Sequence, residues 1–343
     1  MPSGFLALPK VLLLGLRKSG KSSIQKVVFE GMQPHDSVNL PTTVQPVRST
    51  VCSNDFLNFE VWDFPGQNDP FDSNNVDAYD TRSLLENCGA IVFVMDCCEL
   101  IDDSHARLLE TVCTAYQYNP ELSVEVFIHK VDALSEDHQT DLLTGLQRCV
   151  EAEARQRLDT VAQLRLNFNL TSIYDHSVFQ AFSLVVQKLI KLQIPYITEL
   201  LQMLNSNSNV DLSYLFLSRS KIFLAVDKRN RVKSRTYELC SDAIEVMVKM
   251  GHIYGSRGGE VCSNAGTDQG TSAEEEVDAE VAVGTGASTV ITLSSKDCIY
   301  VKELPNSLTL VLMAKEESFR NRTLIDYNIT VFYKAAYDIF VHS

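Results

Sequence analysis

At 343 residues, 45% apolar and 22% charged, the chain is long enough for two domains and apolar enough to bury a core in each. Its net charge of −14 argues against a nucleic-acid binder, which needs a basic face. Nine cysteines without a CxxC pair or a metal-like spacing point to free thiols in a reducing compartment.

In chain order, "LPKVLLLG" is a short apolar run that stops at Gly15, and a helix-like segment starts at Lys21. "VRSTVCS" and "FLNFEVWDF" read as two strands joined by a turn at Asn54-Asp55. "GAIVFVMD" and "SVEVFIHK" are continuous apolar runs, the pattern of strands buried on both faces. Helical segments are expected over 102–117 and 138–158. "QLRLNFNLTS" then alternates as a strand, and "HSVFQAFSLVVQKLI" has an amphipathic helical period. Strands alternating with helices predict an α/β fold with a mainly parallel sheet over 1–195. After Pro195 the order changes. A helix "YITELLQMLNS" leads into a polar hinge around "NSNSN". Two strands follow, with a turn at Ser218–Ser220, and then a helix through "TYELCSDAIEVMVKM". Residues 256–288 carry seven acids against one arginine and no aromatic residue, a composition that predicts disorder. Three strands and a closing helix complete an α+β domain over 196–343.

The chemistry sits in the first domain. "GLRKSGKS", Gly15 to Ser22, fits GxxxxGK[ST] between a strand and a helix, the context this phosphate loop requires. Backbone N–H groups of Arg17, Lys18, Ser19, Gly20 and Ser23, with the helix N-terminus, are expected to hold phosphates. Lys21 is placed for the β- and γ-phosphates and the Ser22 hydroxyl for Mg²⁺. "VWDFPGQ" fits DxxG. Asp63 is expected to reach the Mg²⁺ through a water, and the Gly66 N–H to meet the γ-phosphate. Gln67 occupies the position from which a GTPase orients its attacking water. In "NLPTTVQP", Thr43 is preferred over Thr42 as the hydroxyl that completes the Mg²⁺ shell.

"VFIHKVD" ends a buried strand in the manner of the NKxD base-reading motif, with His129 where the motif has Asn. The Asp132 carboxylate can accept from guanine N1–H and the 2-amino group, two donors that adenine lacks in that arrangement. The stem of Lys130 is expected to cover the base. His129 takes the position that ties base loop to phosphate loop, and "LTSIYD" supplies Ser172 and Ile173 behind the base. Three functions are compatible with these residues: a guanine-nucleotide switch, a nucleotide-binding scaffold with negligible hydrolysis, and an ATP-using P-loop enzyme. Asp132 and the Ser172 loop weigh against the last.

Together, "GLRKSGKSSIQ", "WDFPGQ", "VFIHKVDALSEDH", "LTSIYDHSVFQAFSLVVQKLI" and "YELCSD" resemble the Rag GTPases. The form "DFPGQ" points to the RagC/RagD class over the RagA/RagB class. The resemblance implies a P-loop GTPase domain followed by a roadblock/longin-like domain that forms an obligate heterodimer with a RagA/RagB-like chain. It implies GTP, GDP and Mg²⁺ as ligands and a slow GTPase stimulated by an activating protein. It also implies docking on a lysosomal or vacuolar scaffold and relay of amino-acid sufficiency to the TOR kinase complex. The N-terminal apolar patch, broken by Lys10, reads as a strand, and Pro2 excludes N-myristoylation. A cytoplasmic chain held at a membrane surface by its partners is the expectation.

Overall fold

A computed structural model describes residues 8–52, 57–67, 70–71, 81–98, 101–158, 164–218, 220–227, 234–254 and 286–341. The chain divides into two compact units, 1–191 and 192–343.

In the first unit the elements run β1 (Lys10–Leu14), α1 (Lys21–Phe29), β2 (Val47–Cys52), β3 (Asn58–Asp63), α2 (Thr81–Glu86) and β4 (Cys88–Asp96). There follow α3 (Ile101–Tyr118), β5 (Ser123–His129), α4 (Glu136–Leu158), β6 (Leu166–Thr171) and α5 (Ser177–Leu189). The sheet order is β2-β3-β1-β4-β5-β6, parallel except for the antiparallel β2–β3 edge. All seven residues of β5 are buried, as are residues 90–96 of β4. Helices cover both faces, so these strands carry Val, Ile and Phe without alternation. Phe182 of α5 sets its ring edge-on to Phe29 of α1 and to Phe127 of β5, at 5.2 Å from each. One aromatic thus fastens two helices to the sheet. Because β1 is paired with β3 on one side and β4 on the other, the chain reverses its winding there. That switch point is where an open α/β sheet leaves a crevice beyond its strand ends.

The second unit has α6 (Ile194–Ser208), β7 (Leu212–Leu217), β8 (Phe223–Asp227), α7 (Ser234–Tyr254), β9 (Ser288–Thr292), β10 (Asp297–Leu304), β11 (Leu308–Lys315) and α8 (Arg322–Val341). Its sheet is antiparallel throughout, in the order β8-β7-β11-β10-β9. An antiparallel sheet flanked by helices is a roadblock-like arrangement. Tyr237 of α7 packs on Tyr214, Phe216 and Phe223, and its hydroxyl donates to Lys221 O at 3.0 Å. On β10, the Tyr300 hydroxyl and Lys302 Nζ both donate to Asp326 of α8, at 2.7 and 2.8 Å.

Two expectations change. The hinge expected at "NSNSN" is helix: α6 runs to Ser208 and ends on Asn209 in the left-handed conformation (φ 52°). Two of the polar side chains there bond to other elements. Asn205 Nδ2 donates to Asp227 at 2.7 Å, and Ser208 accepts from Asn328 Nδ2 of α8 at 3.0 Å. Tertiary bonds outweigh the weak helix propensity of Asn and Ser. Ser288, expected at the end of the low-complexity segment, is instead the first residue of β9 and pairs with Lys302. Residues 256–285 lie outside the described residues, as does the turn at Asn54-Asp55.

Candidate nucleotide site

β1 brings the chain to the crevice with Val11, Leu12 and Leu13 fully buried, and the loop 15–20 carries it into α1. Gly15 has φ +134°, and a Cβ there would stand 2.1 Å from Val94 O on β4. Gly20 has φ +101°, and its Cβ would stand 2.6 Å from His129 Cδ2. Both positions exclude any side chain. The first turn of α1 holds no acid and no side chain caps its N-terminus, which leaves its amides directed at the crevice.

Within the loop, Lys21 is almost wholly buried, and its Nζ donates to Gly15 O (2.8 Å) and Leu16 O (2.7 Å). Burial lowers its pKa to about 8, against the pull of Asp63 in the other direction. A polyphosphate beside it would restore the full charge. Ser22 Oγ donates to Asp63 Oδ2. Thr43 Oγ1 lies 2.7 Å from Ser22 Oγ and 3.3 Å from the same carboxylate oxygen. Burial raises the Asp63 pKa, while Ser22, Lys21 and Thr43 favour the carboxylate. The other oxygen, Asp63 Oδ1, is buried with no hydrogen-bond partner. Two hydroxyls and a carboxylate, all hard oxygen donors, converge on one point, and one oxygen lacks a partner. This set fits Mg²⁺.

Gly66 lies against the phosphate loop, where a Cβ would stand 2.3 Å from Arg17 N. Arg17 Nη2 donates to Thr42 Oγ1 at 3.3 Å, linking the loop to the segment that carries Thr43. Gln67 is exposed and is not among the residues that line the cavity.

The base side is built from the ends of β4, β5 and β6. His129 is 1% exposed. Its Nδ1 is 3.1 Å from Thr171 Oγ1, and that hydroxyl points to Ile128 O (3.4 Å). The ring therefore donates from Nδ1 and keeps its lone pair on Nε2, on the side of Gly20. Burial, helped by the Lys130 ammonium, lowers its pKa to about 4. The hydrogen-bonded tie between the two loops is carried instead by the next residue. Lys130, in the left-handed conformation (φ 63°), donates from Nζ to Lys18 O at 2.9 Å and pairs with Asp96. His129 contributes packing against Gly20. Asp132 accepts from Ser172 Oγ at 2.5 Å, and Ser172 Oγ also accepts from Tyr174 N at 3.2 Å.

These residues enclose one cavity of about 510 Å³. Arg17, Lys18, Gly20, Lys21, Ser22, Ser23, Thr43, Gly66, His129, Lys130, Asp132 and Ile173 line it. Ser19 and Ser172 are buried behind the wall, and Asp63 stands beneath Ser22 and Thr43. Sequence reasoning missed Asp96, Cys98 and Tyr174, which also line the cavity. A carboxylate ending the apolar run "IVFVMD" was the available signal for Asp96. Tyr174 had none, since its ring meets His35, far off in the chain, at 5.9 Å between centroids.

A loop of the GxxxxGK[ST] form on a mainly parallel sheet, with an oxygen triad beside it and Asp132 in the wall of the same cavity, is the arrangement of a P-loop GTP-binding domain of the Ras-like kind. The "Gtr1/RagA G protein conserved region" matches residues 10–244. The chain is 40% identical to mouse "Ras-related GTP-binding protein D" over 97% of its own length and 68% of the relative's. It is 40% identical to human "Ras-related GTP-binding protein C" (97% and 77%) and 39% identical to fission-yeast (Schizosaccharomyces pombe) "GTP-binding protein gtr2" (96% and 98%). The chain belongs to the Rag/Gtr family of GTP-binding proteins, on its RagC/RagD/Gtr2 side.

Proposed function

We propose that the protein is a guanine-nucleotide switch, a slow GTPase that pairs with a RagA/RagB-like subunit and relays amino-acid sufficiency to the TOR kinase complex. Docking on a lysosomal or vacuolar scaffold belongs to the same reading, with the chain otherwise cytoplasmic. Among the described residues no helix is long and apolar enough to cross a membrane, and membrane contact is assigned to the partners. Exposed apolar side chains on α7 (Leu239, Val246, Met250) and α8 (Leu324, Tyr327, Val331) support a second unit that pairs with another chain.

The observation that carries the nucleotide choice is Asp132 held by Ser172 in the wall of the cavity that contains Lys21 and Ser22. One oxygen of that carboxylate is oriented by the serine, and the group accepts from guanine N1–H and the 2-amino group. Lys21 and the loop amides bind the phosphates, and Ser22, Thr43 and Asp63 hold Mg²⁺. When bound, the ion neutralises charge on the phosphate oxygens. Gln67 is the residue assigned to orient the attacking water. In a competition experiment with labelled GDP, GTP should displace the label and excess ATP should not. Displacement by ATP removes the guanine assignment.

A second reading, a scaffold that binds nucleotide and hardly hydrolyses it, is favoured by Gln67 lying outside the cavity wall and by Arg17 engaging Thr42. Single-turnover hydrolysis separates the two. Gln67→Leu should abolish the stimulation given by an activating protein. A rate equal to wild type with that protein present takes Gln67 out of the mechanism.

A further inference from the structure

Away from the nucleotide cavity, three metal-ligating side chains meet where α3 packs on α4. The His105 Nε2, the Cys149 Sγ and a carboxylate oxygen of Glu153 all lie within 4.8 Å of one another. Cys149 and Glu153 are one helical turn apart, so α4 presents both to the same side. The Cys149 thiol donates to Glu153 Oε1 at 3.4 Å, and His105 Nε2 stands 3.8 Å from that oxygen. His105 Nε2 is itself a buried nitrogen with no hydrogen-bond partner, although its side chain is 17% exposed. A buried ring nitrogen without a hydrogen-bond partner, facing a thiol and a carboxylate, has the geometry of a metal ligand.

We propose that His105, Cys149 and Glu153 form a site for a borderline divalent transition ion, Zn²⁺ foremost, that couples α3 to α4. The donor set is one nitrogen, one sulfur and one oxygen. It suits Zn²⁺ and not Mg²⁺ or Ca²⁺, which take oxygen only. Tetrahedral Zn²⁺ with bonds of about 2.0–2.3 Å sets its ligand atoms roughly 3.3–3.8 Å apart. The thiol–carboxylate separation of 3.4 Å is already in that range, and the other two require the ligand atoms to close in from 3.8 Å and from within 4.8 Å. Three protein ligands leave the fourth position to water. On binding, the Cys149 thiol proton passes to solvent as the Zn–S bond forms, and His105 binds through the Nε2 lone pair. Glu153 binds as the carboxylate, and no electron is transferred.

The nearest competitor, Arg157, reaches the other oxygen, Glu153 Oε2, at 4.0 Å and leaves Oε1 to the cluster. The other compact group among the described residues, Asp96, Cys97 and Cys98, is already engaged. Asp96 holds Lys130 and the Cys98 amide, and Cys97 donates to Lys130 O.

The test titrates the full chain, loaded with Mg²⁺ and GDP, with Co²⁺ as a spectroscopic stand-in and then with Zn²⁺. One equivalent of Co²⁺ should give a thiolate-to-metal charge-transfer band with the strong visible absorption of a four-coordinate ion, and one equivalent of Zn²⁺ should remove both. Cys149→Ser should abolish the charge-transfer band. His105→Ala and Glu153→Gln should each weaken Zn²⁺ by ~10-fold or more, and Cys98→Ser should change nothing in the spectrum. Zn²⁺ should also slow amide exchange in α3 and α4 of the wild type. No band in the wild type overturns the site, as does an unchanged affinity in His105→Ala or a band lost with Cys98→Ser alone.

Discussion

His129 is buried to 1% exposure on the underside of the phosphate loop, and its lowered pKa makes it a proton-linked element of that loop. The unfolded chain binds a proton at the ordinary histidine value of 6.5, and the folded chain at about 4. Between those values the unfolded state holds more protons, so stability falls as pH falls from 6.5 toward 4. The contribution is about 3 kcal/mol at 1.36 kcal/mol per pKa unit. Asp63, whose pKa is raised, acts with the opposite sign at overlapping pH, so wild type alone does not isolate the histidine. His129→Asn does. The amide has no charge to acquire, and the drop in unfolding midpoint between pH 7 and pH 5 should shrink in the variant. An identical pH profile in both proteins would assign the effect elsewhere. The motif made position 129 legible as part of the base loop. Its actual service was not legible, because the tie to the phosphate loop passes to Lys130 only through that residue's left-handed backbone.

At the scale of elements, the phosphate loop and α5 carry contrasting demands. Gly20→Ala would set a methyl carbon 2.6 Å from the His129 ring on a backbone at φ +101°. Both the clash and the conformation oppose it, at a cost of roughly 1–3 kcal/mol for the strained backbone alone. GDP affinity should fall at least tenfold by equilibrium binding. His129→Ala in the same chain should recover only the part due to the clash, and full recovery would mean that the backbone strain is negligible. For α5, Phe182→Ala removes a ring that touches both α1 and β5, and should cost about 3–5 kcal/mol. A melting point of the first unit lowered by on the order of 10 °C is the expected reading. A shift within error would show that Phe29 and Phe127 close the gap. The strands β4 and β5 could be read from sequence because burial on both faces leaves an unbroken apolar run. The end of α6 could not, since Asn205 and Ser208 belong to the helix only through partners on β8 and α8.

On the scale of the whole chain, the two units divide the work that the proposal assigns. The first unit has its own core of β4, β5, α3 and α4 residues, and every residue of the nucleotide cavity lies within 1–191. The second unit buries Tyr237 with Phe216 under α7 and Tyr300 against α8, and among the described residues none of it lines the cavity. Its exposed Leu239, Val246 and Met250 fall at spacings of seven and four along α7, which places them on one stripe. Apolar residues on one stripe of a helix, 41–47% exposed, are what a dimer interface would cover. A chain ended at Lys191 should therefore keep GDP affinity within about 0.5 kcal/mol of the full chain, the usual limit for changes at independent sites. The same truncated chain should fail to co-purify with a RagA/RagB-like subunit that the full chain retains. Retention of that subunit by residues 1–191 would move the interface to the nucleotide-binding unit. The paired change Val246→Asp and Met250→Asp in the full chain makes the complementary test, because it leaves both cores intact. Loss of the partner with nucleotide binding unchanged would place the contact on α7. An undisturbed heterodimer would leave the α8 residues Leu324, Tyr327 and Val331 as the face that carries it.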